Sequence, residues 1–540
     1  MYFKKRDDNN SVRSVVERNT GMPADIFLDD TRVPRLHNLE ETAKMIRKYL
    51  SEHANPNVII VGDYDADGDT STSIMYWTFK ALRVTPKIRI PRRFSEGYGM
   101  SVKIIEELPD SDGLIITVDN GISSSDAVTL AKKKGYTVIV TDHHLPPVDD
   151  AGNMMLPPAD IILDPHVYPE KSEFEDYCGA GIAYRLAQEL LPGVNLVQLL
   201  VLASIGTVSD VMPLVGANRR LVKDGLAAIN KRKCVPGLNA LLEKLKADHL
   251  NEDDYGFTLG PIFNASGRLF DDGAMRVIDI LTSGSDNTEL PAKAEKLIDV
   301  NNVRKGLVRE GVALAETFIS EKRPIVISHE SFHEGIIGII AGHLCEKYDC
   351  PVIVFTKSNT QQGVLKGSGR SNETHLKNVL DKVHSKTGDS VLLGYGGHAG
   401  AAGLSIRETE LHTFTKVFAE ECGEISSSKS QVMYDLELTD EKKLFSITEE
   451  LKVYAPYGEG NPKIIFHKVF DVLEGQYRVI GDGTHFMIKL PDITLMGFGM
   501  REKYEAMCKP TKIECIGHIT ENWYNNNLSY TFEIIDFAPA

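Results

Sequence analysis

Five short runs of apolar, mostly β-branched residues between about positions 56 and 210 each end at a polar or glycine-rich cluster, and this rhythm restricts the fold more than any other feature. The runs are NVIIVGDYDADGD, KIRIP, GLIITVDNGIS, TVIVTDHH and IILDP. Runs of this length with no polar alternation suit strands covered on both faces. The amphipathic stretches between them suit crossover helices, so a parallel sheet is predicted. In such sheets ligands gather beyond the carboxyl ends of the strands, where these polar clusters fall.

The densest cluster is Asp63-Tyr64-Asp65-Ala66-Asp67-Gly68-Asp69. Carboxylates this close repel one another unless cations neutralise them, which points to a metal site. A solvated acidic turn or a calcium loop is the alternative. An EF-hand, however, needs a helix before the loop and a closing Glu, and here a strand precedes it. Asp119-Asn120-Gly121 and Asp142-His143-His144 occupy equivalent strand-end positions. A lone strand-end Asp is often a helix cap and a lone His often a satisfied polar residue, but three such clusters at strand ends predict one shared site. Carboxylates mixed with imidazole suit Mn²⁺ or Mg²⁺. Asp210, in the mostly apolar run LVLASIGTVSDVMPL, is expected to complete the site, because an unpaired carboxylate there would be costly.

Downstream, residues 288–321 carry apolar positions at helical spacing and predict a long connecting helix with Gly306 and Gly311 as weak points. A second α/β unit follows: PIVIS, GIIGIIAGHLCEKY, PVIVF and GYGGHAGAAGLSI. The Ser/Lys-rich SSSKS at 426–430 reads as a linker, and the short apolar runs from about 460 predict a small β-barrel. A length of 540 residues exceeds what one core supports, so about three or four domains are expected. The N-terminus shows no secretory signal and no window resembles a membrane span, so a cytoplasmic protein is expected. Seven cysteines without CxxC spacing argue against a disulfide framework or thiolate zinc site. A net charge of −16 excludes a protein that coats nucleic acid by bulk charge, although not an enzyme with a narrow basic groove.

DYDADGDTST, VDNGIS, TDHH and GTVSDVMPL resemble, in order, the four motifs of the DHH phosphoesterases. Within that superfamily IPRRFSEGYGM (90–100), GPIFNASGRL (260–269), the GII–GIIAGHL run (335–344), KGSGRS (366–371), GGHAGAAGLSI (396–406) and PYGEGNP (456–462) are similar to the RecJ-type exonucleases. Ser266, where a small apolar residue is usual, and the extra Asp69 depart from the pattern. The resemblance implies a DHH domain at 40–285, a connecting helix at 286–320, a DHHA1 domain at 321–425 and an OB-like domain at 430–540. The active site would lie between the first and DHHA1 domains. It also implies two ions, Mn²⁺ or Mg²⁺. Asp65 and Asp119 would bind one, with Asp119 bridging to a second held by Asp67, His143 and Asp210, while Asp63 is a ligand or orients one. His144 is then free for the scissile phosphate or leaving oxygen, or else packs against its neighbour. Arg suits forked phosphate contacts. The substrate-binding candidates are Arg92 or Arg93, Arg268, which also has a catalytic role, Lys366, the Ser368–Gly369 pair, Arg370 and His398, the last alternatively a capping donor in a tight strand-to-helix turn. Trp523, Tyr524 and Tyr530 are candidates to stack bases or to pack a core.

The implied activity is a 5′→3′ exonuclease on single-stranded DNA that releases 5′-mononucleotides, with a single-strand-binding protein or helicase as candidate partner and no membrane. The rivals are a phosphodiesterase for short RNA or cyclic dinucleotides, and a silent DHH scaffold that binds a replication partner. The tail is expected to be an accessory surface whose removal from about 458 spares metal binding.

Overall fold

The computed structural model describes residues 3–29, 31–149, 151–320, 323–423, 432–473, 475–481, 483–524 and 527–540. The linker expected at SSSKS lies outside them. The first domain is built on a sheet of five strands in the order Lys87–Arg89, Val58–Val61, Leu114–Val118, Thr137–Thr141, Ile161–Leu163, every neighbouring pair parallel. Successive side chains of a strand face opposite sides. Val58 and Ile60 therefore enter one core while Ile59 and Val61 enter another, and all four are buried. This double burial is the reason the run has no polar alternation. The three middle strands stop at Val61, Val118 and Thr141, which brings the three polar clusters to one edge.

Helix Ala66–Ala81 leaves that edge and packs against helices Gly179–Leu190 and Val197–Ser209. A single helix, Leu290–Glu316, about 40 Å long at 1.5 Å per residue, leads to the next domain. It runs unbroken through Gly306 and Gly311, contrary to the expected weak points. A Cβ at Gly311 would fall 2.5 Å from Ile340 Cδ1, so this glycine serves a close approach to helix Ile337–Tyr348.

The second domain holds a mixed sheet ordered Leu392–Gly397, Ala401–Arg407, Val364–Arg370, Val352–Lys357, Ile325–Ser328, in which only the last pair is parallel. GGHAGAAG forms a strand-to-strand hairpin here, not a strand-to-helix turn. The C-terminal sheet has seven strands, in the order Leu436–Glu437, Phe466–Asp471, Lys512–Tyr524, Asn527–Pro539, Thr494–Gly497, His485–Lys489, Tyr477–Ile480.

Within residues 3–29 the strand and the buried apolar side chains join the C-terminal domain, not the core of the domain that follows in sequence. Lys4–Lys5 pairs with Met433–Tyr434, and Val12, Val15, Val16, Ala24 and Phe27 enter the core of the C-terminal sheet. Arg6 and Arg18 both bind Asp435, at 3.1 and 2.6 Å. Among the described residues, no helix is long and apolar enough to cross a membrane.

Candidate metal centre and phosphate cleft

The strand-end clusters converge. Asp63, Asp65 and Asp119 can each place a carboxylate oxygen within 4.8 Å of the others, as can ligand atoms of Asp67, His143 and Asp210, and those of Asp119, His143 and His144. His143 Nε2 lies 3.0 Å from Asp119, 3.6 Å from Asp210 and 3.8 Å from Asp67, so Asp119 stands between the two triads. Local chemistry fixes each carboxylate. Asp65 caps helix Ala66–Ala81, accepting from the Asp67 and Gly68 N–H groups. Asp67 accepts from the N–H groups of Gly179 and Ala180, at 2.6 and 2.9 Å, at the start of helix Gly179–Leu190. A glycine at 179 also lets Asp119 come close, because a Cβ there would lie 2.5 Å from Asp119 Cβ. Asp119 is held at φ 61°, a left-handed conformation uncommon outside glycine and the kind of strain that gathers at functional sites.

Burial and the neighbouring carboxylates push Asp63 and Asp119 well above the usual carboxylate range and Asp210 up to about 8. Asp63 Oδ1 and Asp119 Oδ1 are buried without a hydrogen-bond partner. Hard oxygen donors, close together and short of protons to accept, fit divalent cations such as Mn²⁺ or Mg²⁺. Asp69 is also buried, with neither oxygen bonded and its acid form favoured by burial and by Asp65, but it belongs to none of the three ligand groups.

The adjacent histidines differ. Burial lowers His143, which suits a neutral ligand. Burial also opposes charge on His144, but a 2.7 Å hydrogen bond to Asp142 prevails and raises it to about 9. Asp142 accepts as well from the backbone N–H groups of Ile122, His143 and His144; against burial, the His144 side chain first and then the Ile122 N–H keep its carboxyl below the usual range. It orients His144 and stands in none of the ligand groups. Tyr98 donates its hydroxyl to the Asp119 carbonyl at 3.0 Å and sits 3.2 Å from His144. Asn264 accepts from Ala66 N, tying GPIFNASGRL to the acidic turn. Sequence reasoning named none of these three for a role, although Tyr98 and Asn264 lie inside quoted motifs and Asp142 opens the DHH triplet.

Beside the carboxylates, a cleft of about 420 Å³ opens between the first two domains, lined by Tyr64, Arg93, Arg268, Lys366, Ser368 and Arg370 among others. Arg93 lies over the Tyr64 ring at 4.6 Å, whereas Arg92 is exposed and lines a separate hollow, so the structure separates the two arginines. Arg268 is lowered to about 10 by burial and by Arg93, and burial also lowers Arg370. Among the described residues, no carboxylate pairs with either. Arg268 lies in the last turn of helix Gly260–Leu269, and Arg370 ends strand Val364–Arg370. A glycine at 335 lets the second domain approach, because a Cβ there would meet the Arg268 carbonyl at 1.8 Å. Gly369 lies between Ser368 and Arg370 in that strand, and its carbonyl accepts from the Arg370 guanidinium. His398 sits exposed at the hairpin turn, outside the cleft. Ser266 is buried with its hydroxyl unpaired. The Trp523 and Tyr524 side chains lie outside the described residues, while Tyr530 packs against the C-terminal core.

Three family models match: the N-terminal domain of the DHH family over residues 57–207, the DHHA1 domain over 319–424, and the RecJ OB domain over 434–536. The chain is 35% identical to the single-stranded-DNA-specific exonuclease RecJ of Salmonella typhimurium, over 91% of this chain and 89% of that protein. It is 33% identical to the Escherichia coli protein of the same name, over 83% and 80%. Its structure is similar to that of RecJ from Thermus thermophilus in complex with Mn²⁺, with a TM-score of 0.80 and 28% identity, over 98% of this chain and 76% of the other.

Proposed function

The chain belongs to the RecJ family of single-stranded-DNA-specific exonucleases, and from that premise we propose that it degrades single-stranded DNA from the 5′ end to 5′-mononucleotides. It is a metal-dependent phosphodiester hydrolase using Mn²⁺ or Mg²⁺. The observation that carries the reading is a buried carboxylate cluster beside a cleft whose Arg268 and Arg370 pair with no carboxylate among the described residues, an arrangement suited to cations on one side and a phosphate on the other. Asp63, Asp65 and Asp119 would hold one ion and Asp67, His143 and Asp210 a second, with Asp119 reaching both. Such ions supply a readily deprotonated water and offset charge on the phosphate oxygens. Arg268 and Arg370 would grip the phosphate from within the cleft. His144, kept protonated by Asp142, is able to donate to a phosphate or leaving oxygen. Cytoplasmic action, alongside a single-strand-binding protein or helicase, belongs to the same reading and rests on the family alone.

Purified protein with Mn²⁺ and single-stranded DNA labelled at either end tests this. Early mononucleotide release from the 5′ label is expected. Release from the 3′ label first would overturn the polarity, and faster turnover of short RNA or cyclic dinucleotides would favour a small-substrate phosphodiesterase. No turnover of any of these would favour a binding scaffold.

A further inference from the structure

The segment PYGEGNP (456–462) takes no part in the cleft, yet it seats against the turn that follows Asp210. Asp210 ends helix Val197–Ser209, and the chain then turns through Val211 to Leu214 before the helix Gly216–Ile229. This turn is strained. Val211 stands at φ 56°, an outlier for a β-branched residue, with its side chain out in solvent. Val211 and Met212 still donate back to Val208 and Thr207. Beyond them the C-terminal domain takes over, for Leu214 N donates to the Glu459 carbonyl at 2.7 Å. A Cβ at Gly458 would lie 2.8 Å from Leu214 Cδ1, and one at Gly460, where φ is +71°, 3.2 Å from Pro213 Cβ. Only a loop without side chains at these two places comes so near.

The loop is itself locked. Asn461 is fully buried, and its amide donates to the Tyr454 and Pro456 carbonyls, both at 2.9 Å, while its backbone pairs with Gly458. Arg219, just past the turn, donates to the carbonyls of Val453 and Ala455, and Tyr457 N donates to Glu252. Asp210 is the member of the carboxylate set that most needs such outside support. Its side chain is 31% exposed, against 2% for Asp67 and Asp119. Asp67 is pinned by two N–H donors and Asp65 by its cap, whereas among the described residues no N–H donor reaches the Asp210 carboxylate.

We propose that the 456–462 loop is a positioning element of the metal centre: by clamping the turn 211–214 it sets where the Asp210 carboxylate stands against His143 and Asp67. Asn461 acts through the loop and is a positioning residue. The proposal rests on the reading of Asp210 as a ligand, and it replaces the expectation that the tail is only an accessory surface.

The test uses the full-length chain, with Mn²⁺ binding followed by the paramagnetic resonance of free Mn²⁺. Asn461→Ala and, separately, Gly458→Ala are expected to weaken Mn²⁺ binding by about 10- to 100-fold, the range seen when groups that orient a ligand are removed. The Mn²⁺ concentration for half-maximal cleavage should rise in step, excess Mn²⁺ should restore kcat, and metal-free binding of a long single strand should stay unchanged. Asp210→Asn is the reference. If it weakens Mn²⁺ binding and the loop variants, while folded, do not, the positioning proposal is overturned and the ligand reading stands. If Asp210→Asn also leaves binding unchanged, the ligand reading fails and takes the proposal with it. Should Asn461→Ala fail to fold, Gly458→Ala decides, since it removes no hydrogen bond and pushes directly on Leu214. A lowered melting temperature with unchanged Mn²⁺ affinity would mean a purely structural loop.

Discussion

Beside the cleft, Asp63, Asp119 and Asp210 are driven above the usual carboxylate range by burial and by the carboxylates around them, while within it Arg268 is driven down to about 10 by burial and by Arg93. The charges are opposite and the remedies differ. The carboxylates sit on short side chains at strand ends and helix caps and cannot move apart, so relief comes from ions or protons. The arginines reach in on long side chains from a helix, a loop and a strand of two domains. Even when lowered, a guanidinium stays charged at neutral pH. The acidic cluster therefore needs ions or protons to offset its charge, whereas the arginines keep theirs without either.

The sharpest way to break this contrast is Asp119→Ala, which removes the carboxylate standing between the two triads. Several kcal/mol of charge stabilisation should go, so cleavage is expected to fall by about a thousandfold or more. In chelator the same variant should melt higher than the parent, because one of several repelling carboxylates is gone. Substantial Mn²⁺-dependent cleavage by the variant would sink the two-ion assignment. Next come the arginines. Arg268→Ala is expected to lower kcat by about 10- to 100-fold, the worth of one charge-assisted hydrogen bond, with little change in KM for long strands. A rise in KM alone would move Arg268 from the reacting phosphate to the binding groove.

Asp142→Asn probes the histidine beside the carboxylates. Asp142 keeps His144 charged against burial, so the variant should lose about tenfold in kcat if His144 is the acid, and the alkaline limb of its pH profile should move to lower pH. An unshifted limb would remove His144 from proton transfer. The smallest effect is on the metal-free chain. His144 and Asp210 both bind protons more tightly folded than unfolded, at about 9 and about 8. Their stabilisation is complete below the unfolded values, about 6.5 and 3.9, and is lost as pH rises through the folded ones. In chelator the melting temperature should thus fall by a few degrees between about pH 6 and 9. With saturating Mn²⁺ the trend should reverse, because the ligands must shed protons to bind. Calorimetry across that range, with and without Mn²⁺, checks both signs.

The convergence of the candidate ligands was largely legible in the sequence. Asp63, Asp65, Asp67, Asp119, His143 and Asp210 each follow an apolar run or lie within one, and local periodicity tells where a strand or helix stops. Arg93 could not be separated from Arg92, because the two are adjacent beyond the end of one strand and the Tyr64 ring, met only in the fold, lies under Arg93. That Gly335 serves the close packing of two domains at Arg268 leaves no trace in the local pattern. Asp142 looked like one more strand-end acid until its four hydrogen bonds showed it engaged with its neighbours.

By itself, then, the sequence determined the strands, their ends and the chemistry gathered there, because a side-chain period of two or 3.6 is written within a few residues. Tertiary structure alone decided that residues 12–28 join a core more than 400 positions away, that Tyr98 closes over Asp119, and that Asn461 and Glu459 stand behind the turn after Asp210. Those contacts leave no local pattern. Each depends on how two surfaces made by distant segments fit, and the packing of whole domains sets that fit.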